Sequence, residues 1–453
     1  MADILLVFPE TRYKNGQLPL GIAYAGAACR EAGHDVTLVD LSHLRKPGLH
    51  LERLLRSRDY SMVGVSVVTP HIRMAKMVSR IVKSISPKTT VIWGGAHATV
   101  MPVESAENRD VDIVLRGEAE HILPSLAEDP LRRDLPGLVY RDETGISSSG
   151  NAIPIEDLNT LPFPARDLLD MDEYIRYWYS LDAISPRIRG TGIMASRGCP
   201  FKCSFCQPTL SLLFGKRTRK RSPENIAAEL ETLKRDYDIQ GFMFEDSTFV
   251  LDKSWVLDVC DAIRDLNLIW CCNIRADLVD EDFLMAMSRA GLRKVNIGIE
   301  SAVQEVLDVA YQKQITIEQV NNVVRWSRKI GLKVQGYFIL GVPIETRDDM
   351  LKTVKYATNL DIDDAVFDIA TPFPETIMYN KWKEHVTADF ADFDCFHKSV
   401  FENLQGVSKE WIERQKKLAY YRFYLHPRRW PHVFRMLTSP TGIRRTLMKA
   451  RRV

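Results

Sequence analysis

Short apolar runs alternate with helix-period segments twice along this chain, once before residue 130 and again after Gly192, and such alternation restricts the fold to parallel sheets covered by helices. In the first stretch, strands are predicted over residues 4–8, 36–40, 62–68, 90–93 and 111–115, and helices over 21–33 and 72–85. The first helix carries Ala23, Ala25, Gly26, Ala27 and Ala28, small residues that permit close packing on a sheet. A doubly wound sheet of this kind holds ligands in the crevice outside the carboxyl ends of its strands. The loops at those ends are residues 8–13, 66–70, 94–99 and 116–120. Between residues 128 and 189, six prolines punctuate a weaker pattern that reads as a linker with a small hairpin around 138–140.

Beyond Gly192 the strands predicted are 192–196, 241–244, 269–274, 294–298, 333–340 and 365–370, six β/α units that suggest a partial parallel barrel with its chemistry at the strands' carboxyl ends. The expected division is an α/β domain over 1–130, a linker over 131–190, the barrel over 191–384 and a helical, basic region over 385–453. Residues 414–453 hold 12 Lys or Arg and no Asp or Glu. Two readings of that segment stay open: a solvated basic tail or helix, or a weak contact of Trp430, Phe434, Met436 and Leu437 with a membrane surface or a lipophilic substrate.

Composition narrows the function class. With 453 residues, 45% hydrophobic and 26% charged, the chain is long enough for two or three domains with full cores and for an enzyme. Sixty-one basic against 59 acidic side chains leave a net charge of +2 and no global electrostatic case for a nucleic-acid partner. The apolar stretch at the N-terminus is far too short for a signal peptide, and no run approaches the roughly 18 apolar residues of a membrane span, so a cytoplasmic protein is expected. Eight Cys in a reducing compartment suggest metal or redox chemistry more than disulfides.

Cys199, Cys203 and Cys206 form a C-x-x-x-C-x-x-C run directly after the first barrel strand. Three thiolates on one short loop can hold three corners of a cubane iron-sulfur cluster and leave the fourth iron free to bind a substrate or cosubstrate. A zinc site needs a fourth Cys or His, yet no His occurs between His121 and His385, and Cys260, Cys271 and Cys272 fall in or near predicted barrel elements. Three merely structural thiols are the remaining alternative.

The triplet, its place after the first strand of a partial barrel and the segments downstream resemble the radical S-adenosylmethionine enzymes, over residues 192–384. The resemblance implies a [4Fe-4S] cluster held by Cys199, Cys203 and Cys206, whose open iron chelates S-adenosylmethionine and whose electron releases a 5'-deoxyadenosyl radical. It also implies contacts to the methionyl amino group from Glu245 and Asp246, to the methionyl carboxylate from Arg275, and to ribose or the methionyl group from Glu300. Gly341, with Pro343, matches the segment near adenine. Each has a plainer alternative: a helix cap at 245–246, an ion pair of Arg275 with Asp277, a turn at Gly341.

The N-terminal stretch resembles the Rossmann-like cobalamin-binding domain found in one subgroup of that family, the class B methyltransferases among them. In such folds a hydroxyl after strand three, here Ser66 or Thr69, binds the displaced nucleotide tail, and paired glycines, here Gly94 and Gly95, let the tail slide between strands and helices. His97 is implied as a tail or loop contact, with a plain loop residue as the alternative, and Gly117 and Glu118 belong to the crevice loop after strand five. The loop after strand one lacks the His that ligates cobalt from below in other cobalamin domains. G-x-G-x-x-G is absent there too, which disfavours a dinucleotide.

The resemblance as a whole implies a cobalamin-dependent radical methyltransferase acting on a carbon centre of a small molecule. Ring formation, ring contraction or oxidation with the same cofactors, and a noncatalytic cobalamin or iron-sulfur sensor, are the rival readings. Residues 371–376 and the aromatic stretch 420–424 are expected to add to the substrate pocket and tilt it toward an apolar or ring-containing molecule. Lys216, Arg217, Arg219, Lys220 and Arg221 read as a solvated basic loop or as an attractor for an acidic substrate or reductase. A flavodoxin or ferredoxin electron donor is implied by the family alone.

Overall fold

The structure, a computed structural model, describes residues 1–9 and 16–451. Residues 10–13 of the first crevice loop therefore lie outside the described residues. Strands β1 (Asp3–Phe8), β2 (Asp35–Asp40), β3 (Met62–Ser66), β4 (Thr90–Gly94) and β5 (Ile113–Leu115) form a parallel sheet in the order β2-β1-β3-β4-β5. Along β1, Ile4 and Leu6 enter one hydrophobic core while Leu5 and Val7 enter another on the opposite face. With both faces buried, the middle of β1 is apolar throughout, which is why it reads as a run and not as an alternation. Helix Leu20–Glu31 lies so near the sheet that a Cβ on Gly26 would stand 2.9 Å from Leu38 Cδ2.

The hairpin expected in the linker belongs to this sheet. Strands β6 (Leu138–Asp142) and β7 (Gly145–Ser148) continue it antiparallel past β5, so the sheet runs to residue 148 and not to 130. The three-residue β5 would otherwise leave an unpaired edge, and the hairpin supplies its partner.

A second sheet contains β8 (Gly190–Ile193), β11 (Gly241–Phe244), β12 (Ile269–Ile274), β13 (Leu292–Glu300), β14 (Lys333–Leu340) and β15 (Asp364–Ile369). Among the described residues these six pair in chain order and all in parallel, the pattern of a partial barrel. The first strand departs from expectation because it stops at Ile193. Asp246 accepts hydrogen bonds from Ala195 N (3.1 Å) and Ser196 Oγ (2.5 Å), and the chain turns there into β9 (Ser196–Arg197). That short strand pairs antiparallel with β10 (Arg219–Lys220), and the two bracket the cysteine loop.

The basic C-terminal segment is helical, as expected, and packs on the barrel. It forms helices Lys409–Tyr424, Trp430–Leu437 and Pro440–Ala450. Arg445 Nη1 stands 2.7 Å and Lys449 Nζ 3.2 Å from the carboxylate of buried Asp182, and Lys449 also faces Asp364 at 3.8 Å. Asp364 opens β15, and Lys294, early in β13, donates to Ser180 O at 2.7 Å, so these groups close the base of the barrel at the amino ends of its strands. Among the described residues no helix is long and apolar enough to cross a membrane. Replacement Asp182→Ala strips the only carboxylate that, among the described residues, pairs with buried Arg445, and is expected to destabilise the protein by about 3 kcal/mol, seen as a lower urea midpoint with an unchanged slope.

Candidate active site

At the carboxyl ends of the barrel strands lies a cavity of about 480 Å³. Cys199, Cys203 and Cys206 line it, together with Glu245 just past β11, Arg275 just past β12 and Glu300 at the end of β13. Gly198, at φ +96°, starts the loop where a Cβ would stand 2.7 Å from Arg217 O, so only Gly lets the chain fold back on β10. Burial pushes the Cys203 thiol up, and pushes Cys206 up to about 12. Such thiols stay protonated until a metal supplies positive charge. No three His, Cys, Asp or Glu side chains among the described residues are close enough to share one metal ion. A cubane takes each sulfur on a separate iron, so three thiols facing one cavity fit it, whereas tetrahedral zinc needs its ligands around a single point.

Glu245 is half-buried against this cavity, and its Oε1, shielded from solvent, has no hydrogen-bond partner. Desolvation, reinforced by the charge of Asp246, pushes its carboxyl up to about 7. Gly192 clears its space, since a Cβ there would stand 2.6 Å from Glu245 Oε1. Buried polar atoms normally find partners, so this orphan suits an incoming ammonium. Asp246 does not line the cavity; it braces residues 195 and 196 as described, and the following helix is capped by Asp252.

Arg275 makes the ion pair with Asp277 at 3.0 Å, yet it is a buried side chain of the cavity wall and not a surface one. Its Nη2 donates to Lys313 O at 2.6 Å, its Nη1 points to Cys203 Sγ at 3.5 Å, and the guanidinium lies 3.6 Å from the Phe201 ring centre. Glu300 has φ +63°, where β13 shifts register against β14, and its carboxylate pairs with Lys313 Nζ. A Cβ on Gly298 would collide with both partners of that pair. Lys313 gave no signal in the sequence, because it lies off every strand end between Gln312 and Gln314, both at positive φ.

Gly341 stands apart. At φ +92° its missing Cβ leaves room for Ile412 Cγ2 at 2.8 Å, and it does not line the cavity, so here it serves a turn and the packing of helix Lys409–Tyr424. Thr371 and Phe373 do reach the cavity. The stretch 420–424 does not: Tyr420 hydrogen-bonds the Phe367 backbone, and Tyr424 hydrogen-bonds Asp364.

A second cavity, of about 230 Å³, opens at the carboxyl ends of the first sheet between Ser66, Gly94, Gly95, Gly117 and Glu118. Gly95 is at φ +97°, and a Cβ on it would approach Val67 O to 3.0 Å. This floor of small residues between β3 and β4 fits the slender nucleotide tail of a corrinoid. Thr69 and His97 face away from it: Thr69 Oγ1 meets His97 Nδ1 at 3.1 Å, and His97 Nε2 meets Glu104 at 2.8 Å. Fully buried, His97 clamps the loop after β4 onto the next helix.

Both cavities share the segment that runs from Met194 to Phe214, and one cation joins their walls. Arg197 pairs with Glu118 at 2.5 Å and Glu120 at 2.6 Å, while Arg219 pairs with Glu118 at 2.7 Å, all four side chains being buried. Glu118 therefore reaches from the loop after β5 to the strands that bracket the cysteines. The basic run after that loop divides: Lys216 and Arg217 are exposed, whereas Arg219 is spent on Glu118, Lys220 on Asp252, and Arg221 on buried Glu229.

Residues 193–357 match the Radical SAM superfamily and residues 12–127 match the B12 binding domain. An uncharacterized methyltransferase of Pyrococcus horikoshii is 32% identical over 449 residues, covering 94% of this chain and 93% of its own. The anaerobic magnesium-protoporphyrin IX monomethyl ester cyclase of Rubrivivax gelatinosus is 28% identical, covering 84% and 68%. The cytidylyl-2-hydroxyethylphosphonate methyltransferase of Streptomyces wedmorensis is 25% identical, covering 78% and 76%. Among solved structures, the radical S-adenosylmethionine methyltransferase TsrM of Kitasatospora setae, with cobalamin and a [4Fe-4S] cluster bound, superposes with TM-score 0.71 at 20% identity, covering 91% of this chain and 81% of that one.

Two outcomes are expected. Arg197→Gln leaves Glu118 and Glu120 short of their shared cation and costs about 3–5 kcal/mol in urea unfolding, whereas exposed Arg187→Gln costs nothing measurable. For Glu245 the folded state favours the proton, so as pH rises from its ordinary 4.5 to about 7 the ligand-free protein loses about 3 kcal/mol of stability through this group. Glu245→Gln removes that part of the pH dependence, read as a flatter profile of melting temperature between about pH 3.5 and pH 8, one unit either side of the two pKa values.

Proposed function

Because the chain belongs to the radical S-adenosylmethionine enzymes that carry a B12-binding domain, with a [4Fe-4S] cluster, S-adenosylmethionine and cobalamin as cofactors, we propose that it methylates a carbon centre of a small molecule held between its two cavities. The observation that supports this most is the convergence on one cavity of three thiols and an unpartnered, solvent-shielded carboxylate oxygen. When bound, the cluster with S-adenosylmethionine supplies hydrogen abstraction and cobalamin supplies the methyl group.

In this reading the protein's own residues bind, orient and exclude water. Cys199, Cys203 and Cys206 hold the cluster. Glu245 Oε1 accepts from the methionyl ammonium, which offsets the charge that burial alone disfavours. Arg275 Nη1 carries the donor for the carboxylate: one of its N–H groups points to Cys203 Sγ, and Nε and Nη2 are engaged by Asp277 and Lys313 O. The Glu300–Lys313 pair fixes the far side of the same wall, and Ser66, Gly94 and Gly95 receive the nucleotide tail. Phe205, Tyr337, Phe373 and Met378 give the main cavity an aromatic and apolar lining suited to a ring-containing substrate. All eight cysteines are free thiols, in keeping with a reducing cytoplasm and a flavodoxin or ferredoxin as electron donor.

Ring formation without methyl transfer is the second reading, favoured by the similarity to a cyclase. Turnover with methyl-deuterated S-adenosylmethionine separates the two: a labelled product is expected, and an unlabelled one with its mass changed only by lost hydrogen overturns methylation. Cys203→Ala is expected to abolish formation of 5'-deoxyadenosine and the cluster's visible absorption while leaving cobalamin binding within about twofold, because the two cofactors occupy separate cavities.

A further inference from the structure

The C-terminal helices carry a surface that the reaction does not use. Helix Trp430–Leu437 turns Met436 inward, whereas Trp430, Phe434 and Leu437, spaced i, i+4 and i+7, stand 50%, 63% and 49% exposed. Helix Pro440–Ala450 buries Arg445 and Met448 and presents Ile443 and Leu447 at i, i+4 to solvent. A soluble protein gains nothing from large apolar side chains repeated along the outward faces of two consecutive helices. Exposed Arg422, Arg428, Arg444 and Arg451 accompany these rows, and no Asp or Glu occurs from residue 414 to residue 451.

We propose that these two helices form a docking face for an anionic phospholipid bilayer, with the aromatic and aliphatic rows entering the interface and the arginines pairing with headgroup phosphates. Interfacial helices combine these same elements, an apolar face with Trp and Phe, a cationic surround and too little length to span. A second copy of this chain is a poorer occupant, since it sets one cationic segment without acidic residues against another. The face is held rigidly: Arg445 is tied to Asp182, and Arg435 donates to Ala183 O at 3.0 Å. Those anchors lie at the base of the barrel, so a docked molecule keeps the mouth of its cavity clear of the lipid.

The test is co-sedimentation of the full-length purified protein with vesicles of phosphatidylcholine alone or with about one-third phosphatidylserine. Binding is expected to be about tenfold greater on the anionic vesicles and to fall steeply with salt. Phe434→Ser with Leu447→Ser is expected to lose about tenfold in binding, with circular dichroism unchanged. Arg428→Gln with Arg444→Gln, a pair of exposed sites that leaves packing intact, is expected to erase the preference for anionic lipid. Equal sedimentation on both vesicles, wild-type binding by both variants, or a dimer in gel filtration that the Phe434 and Leu447 replacements dissociate, overturns the proposal.

Discussion

One buried cation governs how the two halves of this protein meet. Arg197 leaves the barrel two residues before the first cysteine and is held by Glu118 and Glu120 from the crevice loop of the other sheet. Buried charges are retained only when paired, and each partner here is useless to the fold without the others. The pairing therefore fixes register as well as attraction: it sets the carboxyl ends of one sheet against the carboxyl ends of the other. A reaction that hands a group from one cofactor to a substrate activated by another needs that separation held constant.

Around this bridge, burial works on the acidic groups of the site in one direction. It disfavours the thiolates of Cys203 and Cys206 and the carboxylate of Glu245, so these groups carry their protons before the cofactors arrive. Iron and a sulfonium-bearing amino acid bring positive charge into the same volume. The cavity is thus most at ease electrostatically when filled, and the glycines at 192 and 298 are places where a single Cβ would take up the room that the charged groups need.

The barrel strands were legible because both faces are buried and each reads as an apolar run; β12 and β14 match their expected bounds residue for residue. Strand β8 did not, since its Gly-Thr-Gly start has little strand propensity and a carboxylate 50 residues away claims the backbone that would have extended it. The hairpin was legible around 138–140, but its extent to 148 and its pairing with β5 were not, because its outer half is charged and exposed. Short-range spacing placed the cysteines on one loop. Long-range pairing was invisible: nothing local tells that Glu118 meets Arg197, 79 positions on, or that Lys313 reaches back to Glu300. Thr69 and Asp246 were drawn toward ligands by their strand-end positions, whereas neighbouring backbone and His97 had already taken their hydrogen bonds.

The closure of the barrel floor sets an order on biosynthesis. Asp182 and Asp364 are translated well before Arg445 and Lys449, the cations that neutralise them. A nascent chain emerging from the ribosome must keep those carboxylates hydrated, and hence the floor unsealed, until the final helices follow. The cysteine loop and its cavity are complete in sequence by then. Assembly machinery that delivers iron and sulfide accordingly has a period in which the barrel is still pliable, and the arrival of the last two helices ends it.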